Sequence, residues 1–493
     1  VIRAELSRLA HHSVIYGAAD VLPYLVNFLF LRVFTAYLSP VDYGAFGILG
    51  LFGVLTKIFF RMGLDSGFFR IYYELTSERD RKILATTLFA SAFSISAVLF
   101  AACALFAGPL GRLLLGSEID SSQVTTWILL VAFDTFLNTF AFVPMNLFRI
   151  QGRPRPFTVM TLFRSFLNIG LKLALVVSGW GVSGVLLADV AASLLFVLAL
   201  FPTLIRNLAP GFSWSMLSRA AAFGLPKVPH GLAHQILNLS DRKLIEIFST
   251  LAASGLYQIG YVMGTGVKFF LSAFELAWSP FVYAQLEKPD APRVLARIAT
   301  YAFAALCGFG LLNAVFGREL LFLMAMPEFH AAHSVIPIVV LAYVIQGVFA
   351  LTSIGIGISK KTRYLPMITA AAAALNVVLN LFWIPRYGIL GAAWSTVAGY
   401  ALMAGLGFWL GNRHYPIPFE GRRLSKIVLA AGTAFALSML APQNLWAAVA
   451  LKAVACAIFP GALWAFGFFR EDEIRWLRSL GAFPGPLEEP GPR

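Results

Sequence analysis

The stretch Leu375-Asn376-Val377-Val378-Leu379-Asn380-Leu381-Phe382-Trp383-Ile384-Pro385-Arg386-Tyr387-Gly388-Ile389-Leu390-Gly391-Ala392-Ala393 joins two long apolar runs, and it has an echo earlier in the chain. Leu167-Asn168 followed by Gly181-x-x-Gly184 stands 207 or 208 residues before Leu375-Asn376 and Gly388-x-x-Gly391. Three further matches keep the same order: Leu22-Pro23 with Leu225-Pro226, Gly44-Ala45-Phe46 with Gly255-Leu256-Tyr257, and Gly108-Pro109-Leu110-Gly111-Arg112-Leu113-Leu114 with Gly317-Arg318-Glu319-Leu320-Leu321. Offsets confined to 203–211 identify two copies of one multi-helix unit. Each copy holds six apolar runs, an even number, so the copies share one orientation and are related by an axis along the membrane normal.

The runs are membrane spans. Of 493 residues 59% are hydrophobic and only 13% charged, with a mean hydropathy of +0.78; a soluble domain is roughly half apolar and about a quarter charged. About 20 apolar residues cross a bilayer core. That length fits about fourteen times, near 13–38, 44–70, 83–107, 125–148, 156–177, 184–204, 220–239, 251–279, 298–316, 332–357, 365–383, 391–411, 427–440 and 446–469. The expected fold is an all-α polytopic membrane protein. Its organisation is an N-terminal six-helix lobe over 1–210, a C-terminal six-helix lobe over 211–415, two additional transmembrane helices over 416–470 and a cytoplasmic tail over 471–493. The connections leave no room for a soluble catalytic domain.

A formal charge of +14 on so apolar a chain needs a reason. With the N-terminus inside, 24 Lys and Arg fall on inner segments and five on outer ones, Arg112, Arg242, Lys243, Arg318 and Arg386. Short cytoplasmic loops carry such an excess, so both termini are expected in the cytoplasm. Nucleic acid is not needed to explain the charge. The remaining nine cations lie inside spans. Cys103, Cys307 and Cys456 are widely separated in apolar sequence and suggest neither a disulfide framework nor a metal site.

The 375–393 segment is similar to the "LN…LN…IP..G..GAA" segment of the Wzx-type polysaccharide biosynthesis flippases, members of the multidrug/oligosaccharidyl-lipid/polysaccharide (MOP) exporter superfamily. Leu38-Ser39-Pro40-Val41-Asp42-Tyr43-Gly44, Gly63-Leu64-Asp65-Ser66-Gly67-Phe68-Phe69-Arg70 and Ser240-Asp241-Arg242 before Gly255-Leu256-Tyr257 resemble other segments of that family more loosely. The resemblance implies two six-helix lobes forming a V around a cavity, with two C-terminal helices added. It also implies a bacterial cytoplasmic (inner) membrane protein that flips undecaprenyl-pyrophosphate-linked oligosaccharide, an O-antigen, capsule or exopolysaccharide unit, by alternating access. The implied partners are that lipid-linked oligosaccharide, membrane lipids, and a glycan polymerase or glycosyltransferases of the same pathway. A Na⁺- or H⁺-coupled multidrug exporter and a lipid II flippase are the nearest alternatives; a membrane glycosyltransferase, polymerase or ligase is the alternative of another class.

Ionisable residues inside spans are costly, and they normally face water or a partner. Lys57, Arg61 and Asp65 recur every four residues on the second span, and Arg164, Asn168 and Lys172 do so on the fifth. Lys227, His230 and His234 lie on the seventh span, and Lys268 with Glu275 on the eighth. Arg gives a forked set of donors to phosphate oxygens and Lys a point charge, so these stripes suit an anionic head group. The substrate-binding candidates are therefore Lys57, Arg61, Asp65, Arg164, Asn168, Lys172, Lys227, His234, Lys268 and Glu275. The competing structural reading pairs Lys57 and Arg61 with Asp65, and Arg164 and Lys172 with Asp134 or Asp189. Asp20, one turn before Pro23, and Glu275 are the candidates for energy coupling, because that task needs a group whose charge or ligand differs between two facing states. H-E-x-x-H, G-x-S-x-G and P-loop motifs are absent, so neither catalysis nor a cofactor is expected.

Overall fold

The structure, a computed structural model, describes residues 28–286, 288–442 and 444–469, with Leu22 and Val26. Asp20 and the tail expected over 471–493 lie outside the described residues. Every regular element among the described residues is helical. The first copy of the repeat contributes α1 (Leu31–Tyr37), α2 (Pro40–Arg61), α3 (Leu64–Glu74), α4 (Glu78–Leu105), α5 (Ala107–Leu115), α6 (Ser121–Leu137), α7 (Phe142–Ile150), α8 (Pro154–Val177) and α9 (Gly181–Arg206). After α10 (Trp214–Gly224) the second contributes α11 (Val228–Phe248), α12 (Leu251–Gly264), α13 (Val267–Gln285), α14 (Ala291–Met324), α15 (Ile336–Thr352), α16 (Ile354–Ile358) and α17 (Tyr364–His414). α18 (Gly421–Ser438) and α19 (Leu445–Ala465) follow. Among the described residues eight helical stretches are long and apolar enough to cross a membrane, nine if the bent pair α6 and α7 is one span.

Two glycine pairs matched across the sequence repeat have matching backbone features. Gly181 and Gly388, matched across the two copies, both have positive φ, 53° and 55°. An L side chain rarely adopts that conformation, and glycine does so at no steric cost. In the second copy this residue breaks α17, where Gly388 has ψ −135°, so the eleventh and twelfth expected spans are the two halves of α17. A second matched pair, Gly44 and Gly255, meets face to face. A Cβ on Gly44 would collide with the Leu251 carbonyl, and one on Gly255 with the carbonyl of Pro40. α2 and α12 therefore cross backbone against backbone. The start of α2 is fixed locally: Pro40 takes the first helical position, and Ser39 and Asp42 exchange hydrogen bonds as a capping box, at 2.9 and 3.2 Å.

Contacts divide the chain into two compact units, one running to Glu287 and resuming over Gly317–Pro416, the other covering Lys288–Phe316 and the chain from Ile417. In the first, Ala45, Ile48, Leu49, Trp127, Ile128, Leu186 and Leu251 form a buried cluster joining α2, α6, α9 and α12. In the second, Arg423 at the start of α18 bonds Glu420 at 2.9 Å and the Tyr301 hydroxyl at 3.0 Å, with the Phe468 ring 4.3 Å away.

Two expectations about span ends change. The second span is not one straight helix: Met62 (φ 45°) and Gly63 (φ 73°) interrupt it between α2 and α3, where Gly63 packs on the backbone of Gly224. Arg242, counted as an outer-loop cation, is only 2% exposed, because α11 continues through it to Phe248. Its charge is met by Asp241 at 2.8 Å and by the Asn238 carbonyl at 2.7 Å, with Gln258 and the Tyr261 ring alongside. A buried guanidinium persists only with such a full set of partners.

Candidate functional site: a cationic cavity in the first repeat

The two ionic stripes of the first repeat open onto one cavity of about 450 Å³. Its wall includes Lys57, Arg61, Asp65, Asn138, Asn146, Arg149, Arg164, Ser165, Asn168 and Asp189, with Phe142, Phe157 and Phe196 among the apolar residues. All belong to the segment from α2 to α9.

Broken helices shape this wall. α6 ends at Leu137, and the chain bends by 42° before α7. The Asn138 side chain turns back to the Asp134 backbone carbonyl at 2.7 Å, while the backbone carbonyl of Asn138 accepts from Arg61 Nη2 at 3.3 Å. Irregular backbone at membrane depth is tolerated where it lines such a cavity and finds partners there. The break between α2 and α3 acts in the same way. Asp65 meets Arg61 across it at 3.2 Å, and Asn146 on α7 donates to the same carboxylate oxygen at 2.9 Å.

The fifth-span stripe is held by α9. Lys172 Nζ lies 2.9 Å from Asp189 Oδ1 and 5.5 Å from the centre of the Phe46 ring, and Asn168 donates to the same Asp189 oxygen at 2.7 Å. Arg164 donates to Ser193 Oγ at 3.0 Å, and Ser193 in turn donates to Asp134. The Arg164 guanidinium also stacks 5.2 Å from Phe196. A planar guanidinium between a hydroxyl and a ring has lost most of its freedom, so it meets an incoming oxyanion with little further ordering.

Of the other candidates, Lys172 stands just behind the wall, and Lys227, His234, Lys268 and Glu275 do not line this cavity. Lys227 is exposed, 4.3 Å from the Phe223 ring. His234 accepts a hydrogen bond from Asn238 through its carbonyl at 2.6 Å and lies within electrostatic range of Lys268, as does Glu275. The second-repeat counterparts of the fifth-span stripe, Asn376 and Asn380, are fully buried and bonded to each other at 3.1 Å. The first copy keeps charges where the second has a sealed amide pair.

Arg149 is the charged wall residue that sequence reasoning missed. The sidedness count placed it in an inner loop, whereas it sits in the last turn of α7, with its guanidinium 5.2 Å from Phe69 and 6.0 Å from Phe157. The available signal was Asn146-x-x-Arg149, two polar groups three residues apart on one helical face.

Residues 33–273 match the family described as polysaccharide biosynthesis protein. Among solved structures the fold is similar to that of the lipid II flippase MurJ in an inward closed conformation, at 13% identity over 92% of this chain and 99% of that one, with a TM-score of 0.73. It is also similar to an inward-facing multidrug resistance MATE family transporter of the MOP superfamily, at 16% identity over 83% of this chain and 96% of that one, TM-score 0.64. A third is a MOP superfamily transporter from Pyrococcus furiosus, described as having a binding pocket of reverse polarity, at 16% identity over 86% and 96% of the two chains, TM-score 0.55. No curated protein matches the chain by sequence. The chain has the fold of these multi-pass membrane transporters, and over residues 33–273 it is similar to the polysaccharide biosynthesis family.

Proposed function

We propose that this protein is a flippase for polyprenyl-pyrophosphate-linked oligosaccharide in the cytoplasmic membrane, a carrier that makes and breaks no covalent bond. One observation carries the reading: in a flippase-like fold, the cavity wall holds four cations and two carboxylates. A cationic drug would be repelled from such a cavity, whereas a pyrophosphate must exchange its water and counterions for fixed cations before it can enter a low-dielectric medium. The fold similarity to a lipid II flippase supports a lipid-linked cargo, and the matched family supports a glycan. In this reading the two repeats rock against each other, the termini face the cytoplasm, and Asp20 and Glu275 are the groups through which an ion gradient acts. The cargo is made by glycosyltransferases and consumed by a polymerase of the same pathway.

The test is complementation of a cell that lacks its own flippase and so displays no surface glycan. The wild-type gene restores display, while Arg61→Gln combined with Arg164→Gln does not, at equal protein level in the membrane. Full display from the double variant would contradict the cationic site.

A further inference from the structure

The charges in the cavity are not equally available to a ligand. Arg61 is held by Asp65 at 3.2 Å. Lys172 is held by Asp189 at 2.9 Å, and Arg164 reaches Asp134 through Ser193. To bind an anion, each of these must share its donors with a carboxylate already in place. Lys57 and Arg149 differ, for neither has an ion pair among the described residues. Lys57 sits one turn before Arg61 on α2 and is exposed to the cavity. Arg149 lies against two rings, Phe69 on α3 and Phe157 on α8, which orient its fork of donors without neutralising it.

The number of unspent charges follows. Four cations and two carboxylates line the cavity, leaving two positive charges among the described residues. Lys172 and Asp134 behind the wall add one charge of each sign and leave that balance unchanged.

We propose that Lys57 and Arg149 are the residues that read the charge of the head group, and that their two unspent charges select a diphosphate diester over a monophosphate diester. This rests on the reading of the protein as a lipid-phosphate flippase. A sugar-capped diphosphate carries two negative charges at neutral pH, one on each phosphate, and a sugar-capped monophosphate carries one. The first cancels the cavity charge and the second leaves a net cation in a poorly solvated space. A charge left over there weakens binding far more than it does in water.

The experiment uses the full-length protein purified in detergent and two synthetic probes, farnesyl-pyrophosphoryl-N-acetylglucosamine and farnesyl-phosphoryl-N-acetylglucosamine. The wild type is expected to bind the diphosphate at least about tenfold more tightly, the worth of one charge-assisted hydrogen bond. Lys57→Gln and Arg149→Gln are each expected to lower diphosphate affinity about tenfold while changing monophosphate affinity little, so the preference collapses. Arg149→Lys keeps the charge and keeps the preference, which separates charge reading from a packing role for the side chain. Equal binding of both probes by the wild type, or an unchanged preference in both Gln variants, overturns the assignment and leaves the flippase reading standing. Failure of the wild type to bind either probe overturns both.

Discussion

Lys172 and Asp189 show how a single pair of side chains serves the site. Their contact at 2.9 Å ties α8 to α9, and the same carboxylate oxygen takes the Asn168 amide. With Lys172 14% exposed and Asp189 28%, the pair lies between a surface bridge and a fully buried one. Asp189→Asn leaves the ammonium without a counterion and is expected to cost about 2 kcal/mol of stability. Adding Lys172→Met removes the stranded charge and recovers most of that loss. Thermal unfolding of the three proteins in detergent checks this; equal stability of the single and double variants would contradict the pairing. At this scale much of the site was legible. Spacing of four residues brought Lys57 with Arg61 and Arg164 with Asn168, and all four line the cavity. What spacing does not carry is partnership across helices. Asp134 and Asp189 were named as partners on offer, but the choice between them is set by the packing of α8 on α9 and by Ser193, which passes the Arg164 contact to Asp134.

Helix ends and helix breaks place those residues. A hydropathy window sees apolar length and passes over a one-residue break, so the turn at Met62-Gly63 and the bend between α6 and α7 were invisible in the sequence. Both breaks matter, since each supplies a polar group to Arg61, Asp65 from one and the Asn138 carbonyl from the other. Arg242 was misplaced for a related reason: a charged pair was read as a loop, when Asp241, Asn238 and Gln258 allow α11 to carry it through the interior. The glycines were the more reliable guide. Gly181 and Gly388 mark the same turn in both copies, and Gly44 and Gly255 mark the crossing of α2 with α12. Gly255→Ala places a methyl group against the Pro40 carbonyl and is expected to destabilise the protein by about 1–3 kcal/mol, by overpacking. A lower melting temperature in detergent, with that of Gly405→Ala not lowered because nothing lies within 4 Å of a Cβ there, is the expected result. Equal melting of both variants would mean that the crossing is loose.

Across the whole molecule the two segments matched in sequence share glycine positions and differ in charge. Arg164, Asn168 and Lys172 in the first copy correspond to a neutral, buried Asn376 and Asn380 in the second. The cations behind the net charge of +14 are therefore of two kinds, those at the ends of spans and those inside spans, the second kind concentrated in the first repeat. Composition alone could not separate them; the alternation of loops sorted them by expected side, and it set Arg242, which the fold buries, among the loop cations. In the proposed function the second kind carries an anionic lipid head group across the bilayer. This claim is tested most directly in proteoliposomes holding only this protein and a fluorescent polyprenyl-pyrophosphoryl oligosaccharide, by measuring how fast the inner-leaflet probe becomes accessible to a membrane-impermeant quencher. Wild-type vesicles are expected to expose the probe, and vesicles bearing Arg61→Gln with Arg164→Gln to match protein-free vesicles. Exposure at the wild-type rate in the double variant, or none by the wild type under any imposed ion gradient, would contradict the claim.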